Sequence, residues 1–126
     1  MTEIRGSYNY SHRHMWVNIK NDIAICGMSD YGQAEFGEFV FIELPKLYKQ
    51  YYRGHEICIV ESVKSISDLY SPISGRILEV NRDLEMTPNL INSSSYDEGW
   101  IFKISIDSFQ EASRLLSAES YVKLLD

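Results

Sequence analysis

Apolar residues fall in short runs along the chain, broken every few residues by polar or turn-forming positions, and the runs are too brief for long helices. Trp16-Val17-Asn18-Ile19 and Ile23-Ala24-Ile25-Cys26 flank Lys20-Asn21-Asp22, which predicts a hairpin. Ser29 or Asp30 is placed to cap a short helix that runs through Phe36 and stops at Gly37. Phe39 to Leu44 reads as a strand ended by Pro45. Ile57-Cys58-Ile59-Val60 is the next strand, and Ile77-Leu78-Glu79-Val80, opened by Gly75, is the one after Pro72. Asn81 to Asp97, rich in Asn, Ser, Pro and acids, reads as a long surface loop. Trp100 to Ile106 alternates again. Asp107-Ser108-Phe109-Gln110 has the form of a capping box opening a helix through Leu116. Ser117 caps a last helix with Tyr121, Leu124 and Leu125 on one face. The pattern predicts a mainly β fold with short helices, some at the C-terminal end. A faint echo between residues 37–44 and 75–81, glycine followed by strand and acid, would suit two similar halves.

Composition narrows the class. At 126 residues the chain has room for one core, expected over residues 14–126 with residues 1–13 as an N-terminal extension. A net charge of −6 disfavours nucleic acid or anionic membrane as partner and suits a soluble carrier that docks on several partners and leaves again, expected as a monomer. No apolar run approaches a membrane span. Met1 to His12 has neither the apolar stretch of a signal peptide nor the amphipathic helix of a transit peptide, so a cytoplasmic protein is expected. Cys26 and Cys58 lie in apolar runs and read as small buried hydrophobes rather than a disulfide.

Candidate chemistry is sparse. His12 and His14 would share a face if extended, but no third metal ligand is placed with them. His55 and Cys58, three apart in an extended run, point to opposite faces and make no nucleophile–base pair. Tyr48, Tyr51 and Tyr52 with Lys49 and Arg53 look like a stacking patch for nucleic acid, yet in an acidic chain they read as a packed edge or partner surface. The one placed group is Lys64, between two strand-like runs and hence at a hairpin tip. An ammonium in water there is a poor nucleophile but an accessible handle for acylation.

Around Lys64 the sequence Glu61-Ser62-Val63-Lys64-Ser65-Ile66-Ser67-Asp68-Leu69-Tyr70-Ser71-Pro72-Ile73-Ser74-Gly75 resembles the lipoyl-lysine loop of the glycine cleavage system H protein family. His14-Met15-Trp16-Val17, Gly27-Met28-Ser29-Asp30-Tyr31-Gly32-Gln33, Val40-Phe41-Ile42-Glu43-Leu44-Pro45, Glu79-Val80-Asn81 and Glu98-Gly99-Trp100 follow in that family's order and spacing. The resemblance implies a barrel-sandwich hybrid carrying lipoate on Lys64, with Glu61 and Gly75 sensed by the attaching enzyme, a lipoate ligase or octanoyltransferase. It implies a shuttle that is not itself an enzyme, carrying an aminomethyl group from the pyridoxal-phosphate decarboxylase (P protein) to the tetrahydrofolate-dependent aminomethyltransferase (T protein). A flavin dihydrolipoyl dehydrogenase (L protein) reoxidises the arm. His14, Met15 and Asp68 are the implied shelter of that arm. Biotin is disfavoured, because biotinyl lysines lie between methionines and Lys64 lies between Val63 and Ser65. The chain departs from the family at Met15, where a glutamate is usual, and over residues 46–53, where a Gly-Asp turn is usual. Two other readings stay open: a relay passing lipoate to 2-oxoacid dehydrogenases, and an unmodified interaction domain of the same fold.

Overall fold

The computed structural model describes residues 2–126. In chain order the elements are β1 (Asn9–Tyr10), β2 (Met15–Lys20), β3 (Ile23–Met28), α1 (Asp30–Phe36), β4 (Phe39–Glu43), β5 (Gln50–Tyr51), β6 (Glu56–Ser62) and β7 (Ile66–Tyr70). There follow β8 (Gly75–Val80), α2 (Asp83–Met86), α3 (Leu90–Ser93), β9 (Phe102–Ser105), α4 (Phe109–Ala112) and α5 (Ala118–Leu125). The strands form a six-stranded sheet, β1-β2-β3-β9-β8-β5, and a three-stranded sheet, β4-β6-β7. No ladder joins the two among the described residues, so the sandwich stays open rather than closing into a barrel. No helix is long and apolar enough to cross a membrane among those residues.

Alternation along the strands builds the core. In β2, Met15 and Val17 face inward and meet Cys26, Ile77, Phe102 and Ile104 of the large sheet and Phe39, Ile42, Val60 and Leu69 of the small one. Trp16 points the other way and joins Tyr10, Tyr96 and Tyr121 in a second cluster on the outer face of the large sheet. The β2–β3 hairpin pairs Lys20 with Ile23, leaving Asn21 and Asp22 as its turn. Asn21 takes φ 59°, a left-handed conformation that Asn tolerates better than most residues. Ser29 caps α1 by accepting a bond from the Gly32 amide, and Gly37 ends the helix at φ 88°.

Several sequence expectations are corrected. The partner of β6 in the lysine hairpin is β7, directly after Ser65, and not the later run Ile77–Val80, which becomes β8 of the other sheet. Ile66–Tyr70 mixes polar and apolar residues because its outer face is solvated, which hid it as a strand. Asn81 to Asp97 is no loose loop: it carries α2 and α3 and buries Leu84, Ile91, Tyr96, Asn81 and Ser95. The cap of α4 is Ser108, one residue later than expected, and the helix ends at Ala112. Leu116 instead exchanges backbone bonds with Tyr10 at 2.9 and 2.8 Å. On α5, Tyr121 and Leu125 pack inward while Leu124 is 46% exposed. Tyr51 is a core residue, whereas Tyr48 and Tyr52 stand exposed. The boundary expected at residue 13 runs within the large sheet, since β1 pairs with β2 and Tyr10 is fully buried. The echoed segments fall on β4 and β8, one in each sheet.

Candidate lipoyl-lysine site

The β6–β7 ladder ends at the pair Glu61–Ile66, and Ser62 to Ser65 turn the chain. Ser62 organises that turn. Its amide donates to the Ser65 carbonyl at 2.8 Å, and its hydroxyl accepts from the amides of Lys64 and Ser65, each at 3.2 Å. A serine hydroxyl accepting from the amides two and three residues on fixes a tight turn without bulk. Val63 donates its amide to the Glu38 carbonyl at 3.0 Å, anchoring the tip to the segment between α1 and β4. That segment is itself held by Asn92 of α3, whose amide group donates to the Gly37 carbonyl and to Gln33 Oε1 while its oxygen accepts from the Phe39 amide. Lys64 is exposed and makes no ion pair among the described residues. Its stem lies over Gly37, where an added Cβ would come within 3.4 Å of Lys64 Cε. Ser62 and Asn92 were missed in the sequence; Ser62 was legible as a turn serine, whereas Asn92, one polar residue in a polar stretch, gave no signal.

Cross-strand register places the surrounding groups. Phe41, Glu61 and Ile66 form one row on the outer face of the small sheet, and Glu43, Ile59 and Asp68 form the next row on that face. Glu61 and Asp68 are therefore brought to one acidic, partly apolar face beside Lys64, with Phe41 53% and Ile66 69% exposed. Gly75 stands apart from this face. It is buried in β8, and a side chain there would run into the Ser105 carbonyl and Ile104, so packing against β9 already demands glycine.

The other two shelter candidates lie elsewhere. Met15 is fully buried in the main core opposite Met28. His14, at φ 71°, is half-buried with Nδ1 2.7 Å from the Tyr121 hydroxyl, which in turn lies 2.6 Å from Ser29 Oγ. Burial holds the His14 pKa below its ordinary value, against a smaller upward pull from Glu35. Burial also pushes the Tyr121 phenol up to about 12. Burial raises both Cys26 and Cys58, so these free thiols are poor nucleophiles. His12 is exposed and away from such partners, and no group of three or more metal-ligating side chains occurs among the described residues.

Residues 8–126 match the family described as Glycine cleavage H-protein. Among similar curated proteins, the glycine cleavage system H protein of Staphylococcus epidermidis is 41% identical over 122 residues, covering 97% of each chain. That of Methylacidiphilum infernorum is 46% identical over 116 residues, covering 92% of this chain and 91% of its own. The crystal structure of a glycine cleavage system H protein from Mycobacterium marinum superposes with a TM-score of 0.84 at 28% identity, over 95% of this chain and 97% of that one. With a match across nearly its whole length and relatives above 40% identity, the chain belongs to the glycine cleavage H-protein family.

Proposed function

We propose that Lys64 carries lipoate through an amide and that the chain is the non-catalytic shuttle of glycine cleavage, exchanging with the P, T and L proteins. The observation that carries this reading is the presentation of Lys64: an unpaired, exposed lysine on a turn fixed by Ser62 and braced through Val63 to Glu38. The residues fit the group, since nothing bulky covers the amine and the neighbouring acids leave it free. Bound there, lipoate supplies a disulfide on a long flexible stem, able to carry a group between enzymes. The chain does the rest: Ser62 and Asn92 hold the attachment point, Glu61 offers a carboxylate to the attaching enzyme, and Asp68 lies on the same face to meet a cationic load.

Incubation with a lipoate ligase, ATP and lipoate should add one lipoyl mass, mapped by peptide analysis to Lys64. Lys64→Arg should abolish the gain, because a guanidinium stays protonated and does not accept the acyl group. Glu61→Gln should slow it. Modification that persists in Lys64→Arg, or that maps to Lys20 or Lys103, overturns the assignment. Transfer of the lipoyl group from this chain onto a 2-oxoacid dehydrogenase acceptor domain would instead assign the relay; Met15, buried in the main core, favours neither destination.

A further inference from the structure

At the base of the β6–β7 hairpin, where Tyr70 pairs with Glu56, lies a cavity of about 390 Å³ with no part in presenting Lys64. Its wall includes Tyr70, Pro72 and Leu115, and its rim carries Arg13, Arg53 and Arg114. These arginines come from three separate places in the chain: the approach to β2, the turn between β5 and β6, and the end of α4. We infer that this cavity binds a small multivalent oxyanion, a polycarboxylate or phosphorylated compound gripped by the three guanidiniums.

Charge carries the argument first. The chain has 18 acidic and 12 basic residues, yet a quarter of the basic ones line this cavity and none of the acidic ones do. None of the three arginines forms an ion pair among the described residues, although Arg5, Arg82 and Lys103 each have an acid partner. One acid, Glu111, shares an adjoining cavity of about 400 Å³ with Arg53 and Arg114. Its carboxylate is already taken, accepting from the Ser74 amide at 2.6 Å and the Ser74 hydroxyl at 2.9 Å. Glu56, the ladder partner of Tyr70, is exposed and unpaired with them. Three like charges around one concavity repel each other until an anion enters.

Geometry is the second argument. The Arg13 guanidinium stacks on the Tyr70 ring at 4.0 Å, which orients its donor fork before any ligand arrives. Cavities that take small molecules span about 300–1,000 Å³ and combine apolar walls with a few convergent polar groups, as here. Guanidinium forks match carboxylate and phosphate oxygens in pairs, so a ligand with two or more anionic groups engages more than one arginine. Arg53 closes the 46–53 segment, where this chain departs from its family.

Citrate and pyrophosphate, titrated separately into the unmodified full chain and followed by amide NMR, test the site without reference to lipoate. At least one should shift the amides of Arg13, Gly54, Tyr70 and Arg114, more weakly as salt is added. Which one binds more tightly tells carboxylate from phosphate as the ligand chemistry. Arg13→Gln combined with Arg53→Gln should weaken binding by about tenfold or more, as expected for charge-assisted bonds. Arg82→Gln removes the same charge elsewhere and should leave binding unchanged. If the double variant misfolds, Arg13→Lys with Arg53→Lys keeps the charge, loses the fork and should still weaken binding. Absence of saturable shifts with both probes up to roughly 10 mM, or equal weakening by Arg82→Gln, overturns the proposal.

Discussion

The tip of the lysine hairpin and the aromatic cluster behind β2 are built by opposite means. At the tip, Val63, Lys64, Ser65 and Ile66 are all exposed, and hydrogen bonds through Ser62, Glu38 and Asn92 do the positioning. Behind β2, Tyr10 and Tyr121 stack with ring centroids 4.3 Å apart and Trp16 is 1% exposed, so burial does the holding. The proposed attachment point thus sits where side-chain packing is thinnest, and the buried clusters lie behind it. Substitutions should separate accordingly, those around β2 acting on folding and those at the tip acting on modification.

The largest effect is expected at Met15. Its side chain has no accessible surface and sits among apolar neighbours. Met15→Glu restores the residue usual in the family but buries a carboxylate, which costs about 3–5 kcal/mol when no partner is supplied. Thermal denaturation at neutral pH should show a Tm lower by roughly 10–20 °C. An unchanged Tm means that water or the arm reaches this position, which would restore Met15 to the sheltering surface.

The second expectation turns to the tip. Ser62→Ala removes the acceptor for two amides of the turn while leaving the ladder intact. A lost hydrogen bond of this kind costs on the order of 1 kcal/mol, so Tm should move by only a few degrees. Attachment of lipoate should slow several-fold, because Lys64 no longer leaves the turn in one direction. If the rate holds while Tm falls, the turn serves stability rather than presentation.

How much of this the sequence revealed follows the same division. The exposed turn position of Lys64, the Asn21-Asp22 turn, the Ser29 and Ser117 caps and the Gly37 stop were legible because each depends on residues a few positions apart. β7 was not, since one face is solvated and its alternation is diluted by Ser67 and Asp68. The packing of Leu84, Ile91 and Tyr96 was hidden in a stretch whose average is polar; what buries them is contact with distant segments. Gly75 showed the reverse case. Its position was readable, but the close approach of Ser105 that demands it comes from a strand some thirty residues later.

The smallest effect, and the one that probes how the packed region handles a polar group, is at His14. Tyr121 lies between His14 Nδ1 and Ser29 Oγ, and Ser29 Oγ already accepts from the Gly32 amide at 3.1 Å. One arrangement satisfies all three: Ser29 donates to Tyr121, and Tyr121 donates to a neutral His14. Protonating Nδ1 reverses the Tyr121–His14 bond and leaves one hydroxyl proton, that of Tyr121 or of Ser29, without an acceptor in this trio. Burial lowers the His14 pKa in the fold, so below about 6.5 the unfolded chain takes up more protons than the folded one. Stability from this group is complete above that pH and falls as pH drops toward the folded value. His14→Asn, which tolerates the left-handed backbone at φ 71°, should flatten the decline in Tm between neutral pH and about pH 5. An acid limb equally steep in the variant would assign the decline to the carboxylates and leave His14 a passive spacer between β2 and α5.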